Sequence, residues 1–154
     1  MTVEEVHERF HSRLNAVSKT YEYLIATGKP DVFIRKYVYF PEAVPDTGKM
    51  ISASKKLLGT HDFKGFSSLG KTKKSTVRTI NSIDVSESGG IINIKVNGNG
   101  FLYNMVRIIA GTLYEIGIGK LDEGIIDEIF ETKNREVAGP TFPAQGLKLL
   151  EVFY

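Results

Sequence analysis

One arginine lies within an apolar run of this chain and could carry chemistry. Apolar residues recur at helical spacing from Leu102 to Ile116, which predicts a helix with one buried stripe. Arg107 falls on a different stripe, beside Tyr103, Ala110 and Tyr114. Because an unpaired buried guanidinium is too costly to keep, Arg107 must reach solvent, a carboxylate or a phosphate. Periodicity alone favours a surface arginine that flanks a core helix.

Two tyrosines and a basic segment are the other candidates. Tyr21 and Tyr23 are two residues apart in a predicted strand, so both project to the same face and predict a core or groove-lining pair. Residues 63–83 contain five cations, no acid, and several serines, threonines and glycines whose amides and hydroxyls could approach phosphate oxygens. The alternative for this segment is a solvated loop. The five cations are Lys64, Lys71, Lys73, Lys74 and Arg78.

The composition indicates one ordinary globular domain over residues 1–154. Of the 154 residues, 42% are hydrophobic and 25% charged, and the net charge of +2 does not by itself indicate a nucleic-acid partner. No apolar run approaches the roughly 18 residues needed to span a bilayer, and the acidic N-terminus is no secretory signal. With no cysteine, disulfides and thiolate metal sites are excluded, and the histidines show no ligand-like pairing. We therefore expect a cytoplasmic protein without a bound metal.

The elements that must position these residues alternate between strands and helices without a repeated βαβ period. Strands are predicted at 18–27, at 75–86, from Ile91 to Asn97 and at 148–154, with a turn at 87–90 between the second and third. Helices are predicted from Pro45-Asp46 to Gly59, over the apolar run that contains Arg107, and at 122–132. This order predicts an α+β fold with a mixed, mainly antiparallel sheet and helices on one face.

Five motifs resemble those of the tRNA pseudouridine synthase A family, in the family's order and over nearly the whole chain. The most specific is the Phe-Leu-Tyr-Asn-Met-Val-Arg segment that ends at Arg107. The others are Phe10-His-Ser-Arg13 with Lys19-Thr-Tyr21-Glu-Tyr23, Gly59-Thr-His-Asp62-Phe63 with Phe66, Thr76-Val-Arg78-Thr79-Ile80, and Pro143-Ala144-Gln145-Gly146-Leu147.

The resemblance implies a tRNA-modifying isomerase with a pseudouridine synthase-like fold. Members convert uridine to pseudouridine at positions 38, 39 and 40 of the anticodon stem-loop, without cofactor or metal, and act as homodimers on tRNA. Tyr21 matches the tyrosine that packs against the target base and takes up the C5 proton, for which a phenol suits. Arg107 matches the arginine that pairs with the catalytic aspartate, and Leu147 the aliphatic residue beneath the base. The basic segment would grip phosphates.

One family motif has no counterpart here. The catalytic aspartate belongs to an Arg-Thr-Asp-Ala-Gly-Val-His-like motif, whereas the only Arg-Thr pair in this chain, Arg78-Thr79, precedes Ile80. The family has roughly a further domain before the segment that matches Phe10. We therefore expect the C-terminal half of such an enzyme, without a nucleophile and inactive alone, with Arg107 facing water, an anion or a stray acid. Asp62 is predicted to cap a turn instead of acting as a nucleophile.

Two other functions remain open at this point: a stand-alone RNA-binding module and an oligomerisation domain. The coding sequence upstream of Met1 would separate them from the isomerase, because an in-frame Arg-Thr-Asp-Ala-Gly motif there would identify the catalytic half.

Overall fold

The fold is an antiparallel sheet with helices packed against it, seen in a computed structural model that describes residues 5–29 and 32–154. The strands form one sheet in the order β2-β3-β4-β1-β5, and every pair of neighbours is antiparallel. The α+β prediction is confirmed, and the parallel component is confined, within the described ranges, to an isolated bridge between Ile25 and Tyr39. The elements are β1 Ser18–Ala26, α1 Thr47–Ser54, β2 Gly59–Asp62, β3 Val77–Ser88, β4 Ile91–Gly98, α2 Met105–Gly117, α3 Ile125–Thr132 and β5 Leu147–Phe153.

The central hairpin of the sheet, β3–β4, follows directly from its sequence. Gly89 and Gly90 connect the strands with φ angles of 58° and 74°, the paired left-handed conformations of the tight turn that matches strand twist. In β4, Ile92, Ile94 and Val96 alternate with polar residues and are fully buried on the face that the helices cover. The predicted alternation is confirmed here, and it fixes the register of the hairpin.

Helix α2 is buried on more sides than its periodicity predicts. Besides the expected stripe, Ala110 and Tyr114 on the Arg107 side are also buried. The segment 139–142 covers this second side, and it approaches so closely that a Cβ atom on Gly111 would overlap the carbonyl oxygen of Pro140. Periodicity alone favoured a surface stripe for Arg107, but part of this stripe is buried, while Tyr103 on the same stripe stays exposed. The burial comes from a segment distant in sequence that lies directly on the helix backbone.

Several predicted boundaries also need correction. β2 was not predicted; the segment expected to be a capped turn begins as a four-residue strand that pairs with β3. Its last residue, Asp62, then caps a short 3₁₀ helix by accepting a hydrogen bond from the Lys64 amide, at 3.1 Å. α2 begins at Met105 and leaves Leu102 outside the helix, and α3 begins three residues after Asp122. The C-terminal strand β5 lies at one edge of the sheet and pairs with β1.

Candidate active-site cleft

The three predicted catalytic residues line one cleft of about 540 Å³, a size typical of small-molecule sites. Tyr21 comes from β1, Arg107 from α2 and Leu147 from the first position of β5, so the cleft lies where the sheet meets the helix layer. All three side chains are half-buried. The three residues are far apart in the sequence, so their sequence positions alone do not require them to meet. The structure therefore brings together the residues that the family motifs selected, while their chemical roles remain predictions.

Two uncharged acceptors hold the guanidinium of Arg107. Its Nε donates a hydrogen bond to the carbonyl oxygen of Phe142 at 2.5 Å, and its Nη1 donates to Oδ1 of Asn104 at 2.8 Å. Over the described ranges Arg107 has no ion pair, and its Nη2 has no acceptor. The expectation that Arg107 faces water, an anion or a stray acid did not include these two internal acceptors, and for Nη2 it stays a prediction. Nη2 remains available to a carboxylate or phosphate, the partners that a guanidinium binds best.

Asn104 is placed to hold Arg107 by an unusual backbone conformation. Its φ angle of 61° lies in the left-handed region, which asparagine tolerates better than most residues, at the position that precedes helix α2. The side chain does not cap the helix; its Nδ2 donates to Oγ of Ser68 at 3.2 Å while its Oδ1 accepts from Arg107. Asn104 thereby links the loop before β3 to the arginine.

The aromatic wall of the cleft consists of Tyr21 and Phe101. Their rings meet edge to face, with centroids 5.1 Å apart and planes at 82°. The pairing of β1 with β5 shifts register between Thr20 and Tyr21, and irregularities of this kind redirect side chains beside functional sites. The edge of one ring against the face of the other leaves a flat apolar surface on which a base could stack.

Tyr23 lies behind this wall and belongs to the core. It is fully buried, and its hydroxyl donates to the carbonyl oxygen of Pro143 at 2.6 Å, which ties β1 to the segment before Leu147. This agrees with the structural interpretation of Tyr23. Burial raises the pKa of the Tyr23 phenol above its ordinary range, an effect that the positive charge of Arg107 partly offsets.

Replacing Tyr23 by phenylalanine is expected to lower the free energy of unfolding by about 1–2 kcal/mol at neutral pH, because the Pro143 carbonyl loses its donor. The raised pKa also predicts a pH effect. Above about pH 10 the unfolded chain releases the phenol proton while the folded chain retains it, so stability falls as the pH rises. Urea unfolding at about pH 7 and pH 10.5 measures both effects, and the decline should be smaller in the variant.

Tyr37→Phe is the matched control, since the Tyr37 side chain is 68% exposed. It should leave both the neutral stability and the alkaline decline unchanged. An alkaline decline of the same size in Tyr23→Phe as in the unmodified chain would contradict the assignment of this effect to Tyr23.

The predicted RNA-binding cations divide into two groups in the structure. Lys64, Lys71, Lys73 and Lys74 are exposed and lie outside the cleft lining. Arg78, at the start of β3, lines the cleft itself. Leu69 also lines the cleft and lies in the loop 67–76 with Lys71, Lys73 and Lys74, so this basic loop borders the opening instead of lying on a remote surface. This geometry suits a surface that receives RNA beside a pocket for one nucleoside.

Asp62 is not a residue of the cleft lining. Its carboxylate accepts a 2.6 Å hydrogen bond from Oγ1 of Thr76 and pairs with Nζ of Lys133 at 3.0 Å. Partial burial raises the pKa of Asp62, but these two partners and the Lys64 amide outweigh it and hold the pKa below its usual range. A carboxylate saturated by structural partners is a poor nucleophile. These contacts agree with the prediction that Asp62 caps a turn.

Arg13 is one of the cleft residues to which the sequence motifs gave no role. It lines the cleft from a turn in the N-terminal segment, although it belongs to one of the motifs. Phe101 and Asn104 likewise belong to a motif but carried no assignment. A polar residue directly before an apolar helix marks Asn104 as a candidate cap, but its side chain does not cap the helix, so this signal does not predict its contact with Arg107. Nothing periodic marks Arg13.

Neither a cluster of metal ligands nor a membrane-spanning helix occurs in residues 5–29 and 32–154. These ranges contain no group of three or more histidine, cysteine or acidic side chains that could hold a metal ion. None of their helices has the length and apolar character that crossing a membrane requires.

Comparisons with known proteins find matches over nearly the whole chain. A family model described as tRNA pseudouridine synthase matches residues 53–154. The chain is 45% identical over 152 residues to tRNA pseudouridine synthase A of Bacillus licheniformis, and 46% identical over 153 residues to tRNA pseudouridine synthase A 2 of Clostridium tetani. Identity to the Bacillus subtilis tRNA pseudouridine synthase A is 43% over 152 residues. These alignments cover 98% of this chain but only 61–62% of each relative, so the chain spans about three fifths of their length.

Proposed function

The chain belongs to the tRNA pseudouridine synthase family, and we propose that it forms the uridine-receiving part of an enzyme that makes pseudouridine in tRNA. The proposed targets are positions 38, 39 and 40 of the anticodon stem-loop. The observation that carries this proposal is the convergence of Tyr21, Arg107 and Leu147 on one cleft. An enzyme that acts on a stacked base must extrude it, at a cost of roughly a few kcal/mol, and needs such a pocket.

Each of the three residues has a proposed role that its surroundings support. Tyr21 presents a flat ring and a polar tip beside Phe101, which suits stacking on the base and taking up the C5 proton. Leu147, on the strand that pairs with the strand of Tyr21, would pack beneath the base. Arg107 would hold a carboxylate ionised and oriented through its free Nη2, while Asn104 and the Phe142 carbonyl fix its plane.

We propose that the nucleophilic carboxylate is an aspartate outside this chain. The relatives are longer than the aligned region, so they have room for the segment that would carry it. The chain alone would then be inactive. The complete enzyme is proposed to work in the cytoplasm as a homodimer, without cofactor or metal, with one tRNA contacting both subunits.

Replacing Lys71, Lys73 and Lys74 together by alanine is expected to weaken binding of a tRNA anticodon stem-loop by a similar factor for different sequences. The three side chains are exposed in the loop that borders the cleft, where they would contact phosphates. The slope of log K against log salt concentration should flatten by about 0.7–0.9 for each phosphate that the variant no longer neutralises. Binding titrations at several salt concentrations measure this slope and test the proposed function.

A matched control removes the same charge elsewhere. Lys49, Lys95 and Lys148 are exposed in other parts of the chain, the last two on the sheet face opposite the cleft. Their joint replacement by alanine should change the slope less than the loop variant does. Equal slopes for the two variants would show that the basic loop is not a phosphate-binding surface.

A further inference from the structure

A second cavity of about 360 Å³ adjoins the cleft and is strongly cationic. The two cavities share Arg13, Arg78 and Phe101 in their linings, so they meet at these side chains. Lys19 and Asn99 also line the second cavity. The aromatic residue that contacts Tyr21 therefore separates a pocket suited to a base from one suited to an anion.

The positive charges around this second cavity are not neutralised by the described part of the chain. Neither cavity has a described acidic side chain in its lining. Across residues 5–29 and 32–154, none of Arg13, Lys19 and Arg78 forms an ion pair. Like charges gathered without a counter-charge repel one another, so their convergence indicates an anionic ligand.

Arg78 is held in a defined position, unlike a freely moving surface cation. Its Nη1 donates to the carbonyl oxygens of Ser75 and Val77, at 2.9 and 2.7 Å. The side chain also lies over Gly100, where a Cβ atom would come within 3.4 Å of its Nε. In the described chain Nε and Nη2 have no acceptor, which leaves one edge of the guanidinium for a second partner. Such an edge binds a phosphate through two parallel hydrogen bonds.

We propose that Arg13, Lys19 and Arg78 bind one backbone phosphate next to the uridine that occupies the cleft. This inference rests on the proposed function, because it takes the cleft to hold a nucleoside. A flipped nucleotide turns about its own backbone, so its flanking phosphates stay at the mouth of the pocket. The cationic cavity adjoins the cleft at Arg13, Arg78 and Phe101, and Tyr21 does not line it, so a phosphate there would be next to the nucleoside. The phosphate contact would keep the strand in register while the base leaves the stack.

The test compares two RNA stem-loops that differ in one charge. In both RNAs the nucleotide next to the target uridine carries a 2′-O-methyl group. The linkage after this nucleotide is an ordinary phosphate in one RNA and a neutral methylphosphonate in the other. The unmodified chain is expected to bind the neutral RNA about 10- to 100-fold more weakly, the size of the effect when a charged hydrogen bond is removed. The Arg13→Gln/Arg78→Gln variant should bind the ordinary RNA with a similar loss and show little further loss with the neutral one.

The control is Lys95→Gln/Lys148→Gln, which removes the same charge from the opposite face of the sheet. It should keep the full penalty for the neutral linkage. Each phosphate that flanks the target uridine is tested in turn. If the affinity losses caused by R13Q/R78Q and by the neutral linkage instead multiply at both, the phosphate site is overturned while the proposed function stands. If the unmodified chain binds neither stem-loop, the proposed function fails first. Should the double variant not fold, Arg13→Gln alone decides, because that side chain makes no hydrogen bond within the described ranges.

Discussion

Replacing Gly111 by alanine is expected to destabilise the chain by about 3 kcal/mol, near the upper end of the range for overpacking a core. The added Cβ would overlap the Pro140 carbonyl oxygen and lie 3.2 Å from the ring of Phe142. The overlapping atom is backbone, so no side-chain rotation relieves the clash. The segment 139–142 must move away from α2, and the carbonyl of Phe142 that fixes Arg107 moves with it. Urea unfolding measures the loss of stability.

Gly70→Ala is the matched control for this change. No atom lies within 4 Å of the Cβ position at Gly70, so the same methyl group enters open space there. Its effect should stay within about 0.5 kcal/mol, as for ordinary surface changes. A Gly111→Ala protein as stable as the control would contradict the close approach of the 139–142 segment to the helix.

The second large effect concerns catalysis. The chain alone is expected to have no activity, and a chimera that supplies the proposed catalytic segment is expected to have measurable activity. With tRNA labelled at C5 of uridine, the chain alone should release no tritium above a control without enzyme, because the proposed partner of Arg107 is a carboxylate of another segment and no described acidic side chain pairs with this arginine. A chimera that joins this chain to the unmatched part of the Bacillus subtilis relative should release tritium. Within the chimera, Arg107→Lys should lower the rate by about 10- to 100-fold, because lysine keeps the positive charge but lacks the planar guanidinium that holds a carboxylate in a fixed geometry.

Lys95→Arg in the same chimera serves as the control, because that exposed side chain lies on the sheet face opposite the cleft. It should leave the rate unchanged. Turnover by the chain alone would contradict the assignment of the nucleophile to another segment, and Asp62 would be the first candidate to replace. An Arg107→Lys chimera as fast as its parent would remove Arg107 from the proposed mechanism.

The middle of the sheet was largely predictable because β4 carries a clear two-residue period. Ile92, Ile94 and Val96 and the two glycines before them determine both the buried face and the turn. β2 was missed because four residues that begin with a glycine at a φ angle of 92° carry no such period. The second buried side of α2 was missed for another reason. A small alanine and an amphipathic tyrosine do not reveal burial that a segment about 30 residues away provides.

The site was predictable to the extent that its residues belong to sequence motifs. Tyr21, Arg107 and Leu147 were selected by resemblance, and their meeting in one cleft follows from strand pairing and helix packing that motifs do not encode. The acceptors that hold Arg107 could not be predicted. One is a main-chain carbonyl, which every residue has, and the other depends on the left-handed backbone of Asn104.

The position of β5 at the edge of the sheet has a consequence for handling the protein. Among the described strands none pairs with the outer edge of β5, and Leu149, Leu150 and Phe153 of this strand are exposed. An apolar edge with unsatisfied backbone groups is a template for adding another strand. We therefore expect solubility to be limited by edge-to-edge association of folded molecules before global unfolding limits it. Concentrated samples would then lose monomer while the circular dichroism of the chain still showed a native fold.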